Sequence, residues 1–142
     1  MINTVPITAL QMAVYQMLTK CISGYPILDD STPFEDGKLP GDKLCIIGPI
    51  TAVPQTTKKD TVMWDTTITI DLYSSYRGKK EVNEMINDVA CVLTCADLNL
   101  DNYHFLNGAV EMVEVRAEDW NDDAIWQHGS VRINFKVEQQ MI

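Results

Sequence analysis

The feature that most constrains the fold is a strict two-residue alternation in the segment TVMWDTTITIDLYSS. One set of alternating positions is mostly apolar and the other mostly polar; the first comprises Trp64, Thr66, Ile68, Ile70 and Leu72. Because successive side chains of a strand point to opposite faces of its sheet, this pattern predicts a half-buried strand. The apolar run LCIIGPI, Leu44–Ile50, predicts a partner strand that bends near Gly48 and Pro49. A loop at Gln55–Asp60 joins the two strands into a long hairpin.

Helical spacing of apolar residues occurs in two other segments. Ile7–Cys21 has this spacing, with Thr4 as the expected N-cap and Pro6 in the first turn. Lys79–Cys95 has a continuous apolar stripe formed by Val82, Met85, Ile86, Val89, Val92 and Leu93. Both segments are therefore predicted to be amphipathic helices that bury one face.

Two closing strands are predicted at Ala109–Glu118 and Ile125–Val137, joined by an acidic hairpin loop, AEDWNDDA. A short edge strand at Tyr25–Leu28 and a surface loop at Asp29–Asp42 are also expected. The order helix, strand, strand, helix, strand, strand predicts an α+β fold in a single domain, residues 1–142. In it, two helices pack on one face of a mainly antiparallel four-stranded sheet with long hairpins. The opposite face is polar and open to solvent or to a partner; it carries Thr67, Thr69, Asp71, Arg132, Asn134 and Lys136.

Charge and composition exclude several classes of function. The chain has 20 acidic and 11 basic residues, a net charge of −9. Phosphate binding needs a surplus of basic residues, so gripping nucleic acid or an anionic membrane is disfavoured. Such a surface suits solubility, or a passage through which DNA slides without sticking. The N-terminus lacks the basic region of a signal peptide, and a reducing cytoplasm is expected for the cysteines.

No catalytic, cofactor or metal site is expected. His104 is expected in a loop and His128 at a strand start, both as solvated residues without a neighbouring nucleophile motif. Cys91 and Cys95 are four apart on one helix face, but no second ligand pair completes a metal site, so structural thiols are expected. The acidic loop Glu118–Asp123 lacks the glycine and terminal glutamate of an EF-hand and is expected to be a solvated hairpin tip.

The tryptophans divide into two groups. Trp64 is on the inward face of its strand and is expected in the core. Trp120 and Trp126 flank the acidic loop. Large aromatic residues near exposed loops often anchor protein contacts, but these two can equally cap the end of the core. The sequence leaves both readings open.

The layout of the whole chain resembles the tail terminator, or tail completion, proteins of long-tailed bacteriophages. The segments that carry the resemblance are ITALQMAVYQMLTK, ILDDSTP, KLCIIGPI, DTVMWDTTITIDLYSS, KKEVNEMINDV and EMVEVRAEDWNDDAIWQHGSVRINFKVEQQ, in that order. The resemblance implies a non-enzymatic ring, usually a hexamer, on the head-proximal end of the tail tube. Such a ring ends tube polymerisation and joins tail to head, so its partners are copies of itself, the tube protein and the head-tail connector. The implied location is the virion tail, with assembly in the host cytoplasm and DNA only as passing cargo.

Two loops are the expected contact sites in such a ring. The residues are Lys58, Lys59 and Asp60 in the first loop, and Asp119, Trp120, Asp122, Asp123 and Trp126 around the second. Oppositely charged loops can meet within a ring or between rings. Lys58→Glu combined with Lys59→Glu is therefore expected to weaken assembly and leave folding unchanged.

Three other readings are compatible with the sequence. A head-completion or connector adaptor protein also forms rings. A small cytosolic module could bind a partner through the polar sheet face. A small enzyme or ligand-binding domain would need a pocket with convergent polar groups, which the sequence does not indicate.

Overall fold

The computed structural model describes residues 4–29, 42–58, 61–121 and 124–139. Seven elements follow one another along the chain: α1 Ile7–Cys21, β1 Ile27–Leu28, β2 Lys43–Lys58, β3 Thr61–Ser74, α2 Lys80–Cys95, β4 Tyr103–Asn121 and β5 Ala124–Gln139. The α+β class is as predicted, and both helices begin and end within a residue of their predicted bounds. Among the described helices, none is both long and apolar enough to cross a membrane.

The sheet has five strands in the order β1-β2-β3-β5-β4, so the expectation of four strands was wrong. The additional strand is β1, which pairs in parallel with β2 through Ile27 opposite Cys45 and Leu28 opposite Ile46. All the other pairings are antiparallel. A two-residue strand is too short to show alternation, which explains why the sequence suggested an edge strand there without placing it in the sheet.

Both helices lie on one face of the sheet, where α1 packs on β1 and β2, and α2 packs on β3, β5 and β4. The approach of α2 depends on Gly129 in β5. A Cβ atom added at Gly129 would lie 2.8 Å from Ile86 Cδ1 and 3.0 Å from Val82 Cγ2. The glycine therefore lets the helix sit closer to the sheet than a larger residue would.

The alternation in β3 is confirmed along its length. Trp64, Ile68 and Ile70 face the helices and are buried. Thr66 is also buried, and its hydroxyl donates a hydrogen bond of 2.8 Å to the Phe135 carbonyl oxygen. That bond satisfies the polar group in the core, where an unpaired hydroxyl would be costly.

Several element ends differ from the expectations. Pro6, and not Thr4, is the N-cap of α1, since the helix begins at Ile7. The Thr4 hydroxyl instead bonds the Tyr103 hydroxyl at the start of β4. β2 continues through the expected Gln55–Asp60 loop as far as Lys58, and β4 begins at Tyr103, ahead of the predicted Ala109. In both cases cross-strand hydrogen bonding extends the strand beyond the apolar pattern.

The bend predicted near Gly48 and Pro49 is present as a register shift between Ile47 and Ile50. A Cβ atom at Gly48 would lie 2.8 Å from the Thr69 carbonyl oxygen. The strand therefore approaches its neighbour too closely there for any side chain.

Candidate protein-interaction surfaces

The ends of the two long hairpins lie at opposite ends of the sheet. One hairpin closes with Lys58 of β2 opposite Thr61 of β3, and the other with Asn121 of β4 opposite Ala124 of β5. β3 begins beside the last residues of β5 and ends opposite Gln127, close to the start of β5. The basic and acidic contact loops expected from the sequence are therefore separated by the length of the sheet.

Four of the expected contact residues belong to described strands. Lys58 ends β2, and the backbone of Asp119 and Trp120 belongs to β4, with Asp119 opposite Ile125. The remaining loop residues lie outside the described residues; they are Lys59, Asp60, Asp122 and Asp123.

The side chain of Trp126 is buried, with 9% of its surface exposed. It belongs to a small second cluster with Leu44, Ile46 and Tyr73, on the sheet face away from the helices. Leu44 and Tyr73 are direct cross-strand partners, which fixes the position of this cluster. Within one chain, this geometry favours the reading in which Trp126 caps the end of the sheet.

His128 does not fit the expectation of a solvated residue, because only 7% of it is exposed. Its ring stacks on Tyr73 with centroids 4.4 Å apart, and its Nε2 lies 2.8 Å from Asp71 Oδ1. Arg116 Nη2 lies 3.5 Å from Nδ1. A guanidinium only donates, so the matching tautomer carries its proton on Nε2 and donates it to Asp71.

This histidine network is suited to holding strands together. A carboxylate and a guanidinium occupy the two ring nitrogens, which leaves neither nitrogen to take a proton from a nucleophile. The network joins β3, β4 and β5 on the open face of the sheet. Sequence reasoning missed it because the three residues are distant in the chain, and only the strand register brings them together.

The cysteines differ in their surroundings. Cys45 is buried, and desolvation, with a smaller contribution from the charge of Asp71, raises the pKa of its thiol to about 12. Cys21, Cys91 and Cys95 are exposed. The Sγ atoms of Cys91 and Cys95 lie 3.9 Å apart, and the hydrogen bond between them raises the pKa of Cys91. Within the described ranges, no group of three or more His, Cys, Asp or Glu residues is arranged to hold a metal ion.

An open groove of about 580 Å³ lies between the C-terminal end of α1 and the middle of α2. Tyr25, Lys43, Asp88 and Cys91 are among its lining residues. The Tyr25 hydroxyl is buried there and has no hydrogen-bond partner among the described residues, and desolvation raises its pKa. Lys43 Nζ lies over the Tyr25 ring, 5.9 Å from its centroid. Tyr25 and Lys43 therefore form a cation–π contact on the groove wall.

The chain is similar in structure to a chain of a virion particle. No protein-family model and no curated protein sequence matches the chain. A chain from the solved structure "Virion of native gene transfer agent (GTA) particle" does match, with a TM-score of 0.78. The match covers 96% of this chain and 99% of that chain. The two chains share one fold. Their sequences are 19% identical, so the likeness concerns the fold.

Proposed function

We propose that this chain is a structural protein of a bacteriophage-type virion, and that it acts by assembling with other virion proteins. The observation that carries the proposal is the fold shared with a virion chain over almost the full length of both proteins. The match leaves only a small part of either chain outside the shared fold. A function based on surface contacts also suits the two long hairpins, which project in opposite directions.

The specific role that we propose is that of a tail terminator, a ring at the head-proximal end of the tail tube. A terminator needs two different end faces, because one binds the tube and the other must not bind another tube subunit. The two hairpin ends meet this need, since they lie at opposite ends of the sheet and differ in charge. In the sequence, the first turn carries Lys58, Lys59 and Asp60, and the region of the second carries Asp119, Asp122 and Asp123.

The negative charge of the chain fits the same role. A ring on the tail tube surrounds the path of the DNA, and a net charge of −9 on each copy disfavours adhesion of the phosphate backbone. No turnover is expected of such a protein. Its specificity comes from the fit between neighbouring surfaces.

A connector adaptor at the head is the second candidate, since the shared fold supports a virion role without favouring head or tail. Deleting the gene in the parent phage and imaging the particles by negative-stain electron microscopy separates the two. Overlong or unjoined tails support the terminator, whereas full heads that leak DNA support the adaptor. Normal, infectious particles would refute a structural role of either kind.

Complementation of the deletion with variants tests which hairpin end matters. Lys58→Glu combined with Lys59→Glu is expected to leave the protein folded and to impair tail joining, because it reverses the charge of one end. Lys79→Glu combined with Lys80→Glu is the matched control, since it makes the same change at the exposed start of α2. Equal complementation by both double variants would contradict a role for the first hairpin end.

A further inference from the structure

Three of the four cysteines are exposed, and two of these three form a close pair on α2. Cys91 and Cys95 are four residues apart, so their side chains lie on one face of the helix. Their Sγ atoms are 3.9 Å apart, and both residues are exposed. An exposed thiol adds little to the core, so a structural role leaves the proximity of these two sulfurs unexplained.

The helix disfavours a disulfide within this pair. Residues at this spacing on a helix have Cβ atoms about 5–6 Å apart. A disulfide needs Cβ atoms about 3.5–4.5 Å apart, so closing one between Cys91 and Cys95 would distort α2. The helix therefore holds the two sulfurs where a ligand can reach both of them, at a spacing that does not suit a bond between them.

The separation of the two sulfurs fits a metal ion bound between them. A bond between a metal ion and a thiolate sulfur is about 2.3 Å long, as for zinc. Two such bonds that meet at a tetrahedral or a trigonal angle place their sulfurs about 3.8–4.0 Å apart. The observed distance of 3.9 Å lies within this interval. An ion can therefore bind both sulfurs without a change in the backbone.

The pair lies beside the open groove between the two helices. Cys91 lines this groove on the α2 side, and Cys21 lines it at the end of α1. The Cys21 Sγ atom is 3.8 Å from the Sδ atom of Met17, one turn earlier in α1. Both helices therefore bring sulfur to one groove of about 580 Å³, which has room for an ion and for an external ligand bound to it.

The charge next to the pair favours a cation. Asp88 is exposed, lies one turn before Cys91 on α2 and also lines the groove. Its carboxylate acts electrostatically on the Cys91 thiol. The ammonium group that lines the groove, that of Lys43, lies over the Tyr25 ring. With a net charge of −9 on the whole chain, the field at the two thiols attracts positive ions.

The number of ligands indicates the kind of ion. Among the residues that the structure describes, no third His, Cys, Asp or Glu joins the pair to form a larger ligand group. Structural Zn²⁺ is almost always bound by four protein ligands, so two thiolates alone hold it weakly. Thiolates also select Cu⁺, a soft ion that is stable with two or three ligands. Two adjacent thiols therefore suit Cu⁺ better than Zn²⁺.

We propose that Cys91 and Cys95 form a binding site for a soft cation of low coordination number, Cu⁺, at the edge of the groove between α1 and α2. One Cu⁺ ion and two thiols give a bis-thiolate complex of net charge −1 and two protons, with no change of oxidation state. A third position on the ion remains open to an external ligand such as a free thiol. The site is independent of the proposed virion role.

The test measures binding of Cu⁺ by the purified full chain under anaerobic conditions, in competition with the chromogenic chelator bicinchoninate. The wild type is expected to withdraw one ion per chain from the chelator. Cys91→Ser and Cys95→Ser are each expected to bind at least about a hundredfold more weakly, because each removes one of two ligands. Cys21→Ser is the matched control and is expected to bind as the wild type does, since it removes an exposed thiol of the same groove.

A second control keeps the number of thiols and changes only their placement. Cys95→Ser combined with Ala96→Cys places the two thiols of α2 five residues apart, where they no longer share a helix face. This double variant is expected to bind Cu⁺ as weakly as Cys95→Ser. Binding at wild-type strength would overturn the proposal, because it would show that thiol number and not pairing matters. An equal loss in Cys21→Ser would overturn it too, as would a wild type no stronger than the single α2 variants.

Zn²⁺, measured with a zinc indicator, tests the identity of the ion. It is expected to bind more weakly than Cu⁺, and tighter binding of Zn²⁺ would overturn the assignment to an ion of low coordination number. X-ray absorption of the Cu⁺ complex is expected to show sulfur ligands, and a shell without sulfur would overturn the site. Thermal unfolding monitors the fold of each variant, and Cys→Ala at either position replaces a serine variant that melts early.

Discussion

Replacing Trp126 by alanine decides between the two roles that the sequence leaves open for this residue. The side chain is 9% exposed and fills the cluster formed with Leu44, Ile46 and Tyr73. An aromatic side chain of this kind buries about 150–250 Å², which corresponds to about 4–6 kcal/mol of transfer free energy. The cluster lies on the open face of the sheet, where neighbours can relax into the space. We therefore expect a loss near the lower end of the range for such substitutions, about 3 kcal/mol.

Urea unfolding followed by far-ultraviolet circular dichroism measures this loss directly, because the signal does not depend on the tryptophan itself. The midpoint is expected to fall while the slope stays unchanged. Trp126→Phe retains most of the apolar surface and is expected to lose about 1 kcal/mol. Tyr76→Ala, at an exposed aromatic residue, is the matched control and is expected to change little. A loss below about 1 kcal/mol for Trp126→Ala, combined with impaired assembly, would refute the reasoning and make Trp126 an interface anchor.

Two further predictions concern the core. Gly129→Ala is expected to destabilise the protein by about 1–2 kcal/mol, because the added methyl overlaps Ile86 and the stiff side chain of Val82. Adding Ile86→Val removes the nearest atom, so in urea unfolding the double variant should lose less than the sum of the single variants; simple additivity would contradict the close approach. Cys45 is expected to resist a disulfide reagent at neutral pH while the other three cysteines react, because its pKa near 12 leaves almost no thiolate. Equal reaction rates for all four thiols in the folded protein would contradict this.

The sequence predicted the elements whose pattern is strong. The β3 strand was recognisable because its alternation reflects one buried and one open face, a property that a strand shows by itself. The bounds of Ile7–Cys21 were correct for the same kind of reason, since its apolar residues recur at helical spacing. The early start of β4 was missed because this edge strand exposes residues on both faces, as at Leu106 and Asn107. The sequence therefore shows no alternation of apolar and polar residues there.

For the expected contact residues, the sequence indicated the turns but not the burial of individual side chains. The two charged loops were recognisable as hairpin turns from their composition. Trp126 was identified as a residue of interest, but its burial depends on Leu44 and Tyr73, which are far away in the chain. His128 was expected in solvent because nothing near it in the sequence indicates a partner. Its partner Asp71 belongs to β3, and only the pairing of β3 with β5 brings the two together.

By itself, the sequence determined the type of each main element, the α+β class and the acidic surface, since these follow from local periodicity and from charge. Only the tertiary structure decided the order β1-β2-β3-β5-β4, which places the hairpin ends at opposite ends of the sheet. Strand order depends on which distant segments bury their apolar faces together. The free energy of that burial comes from contacts between segments, so no single stretch of the chain reveals it.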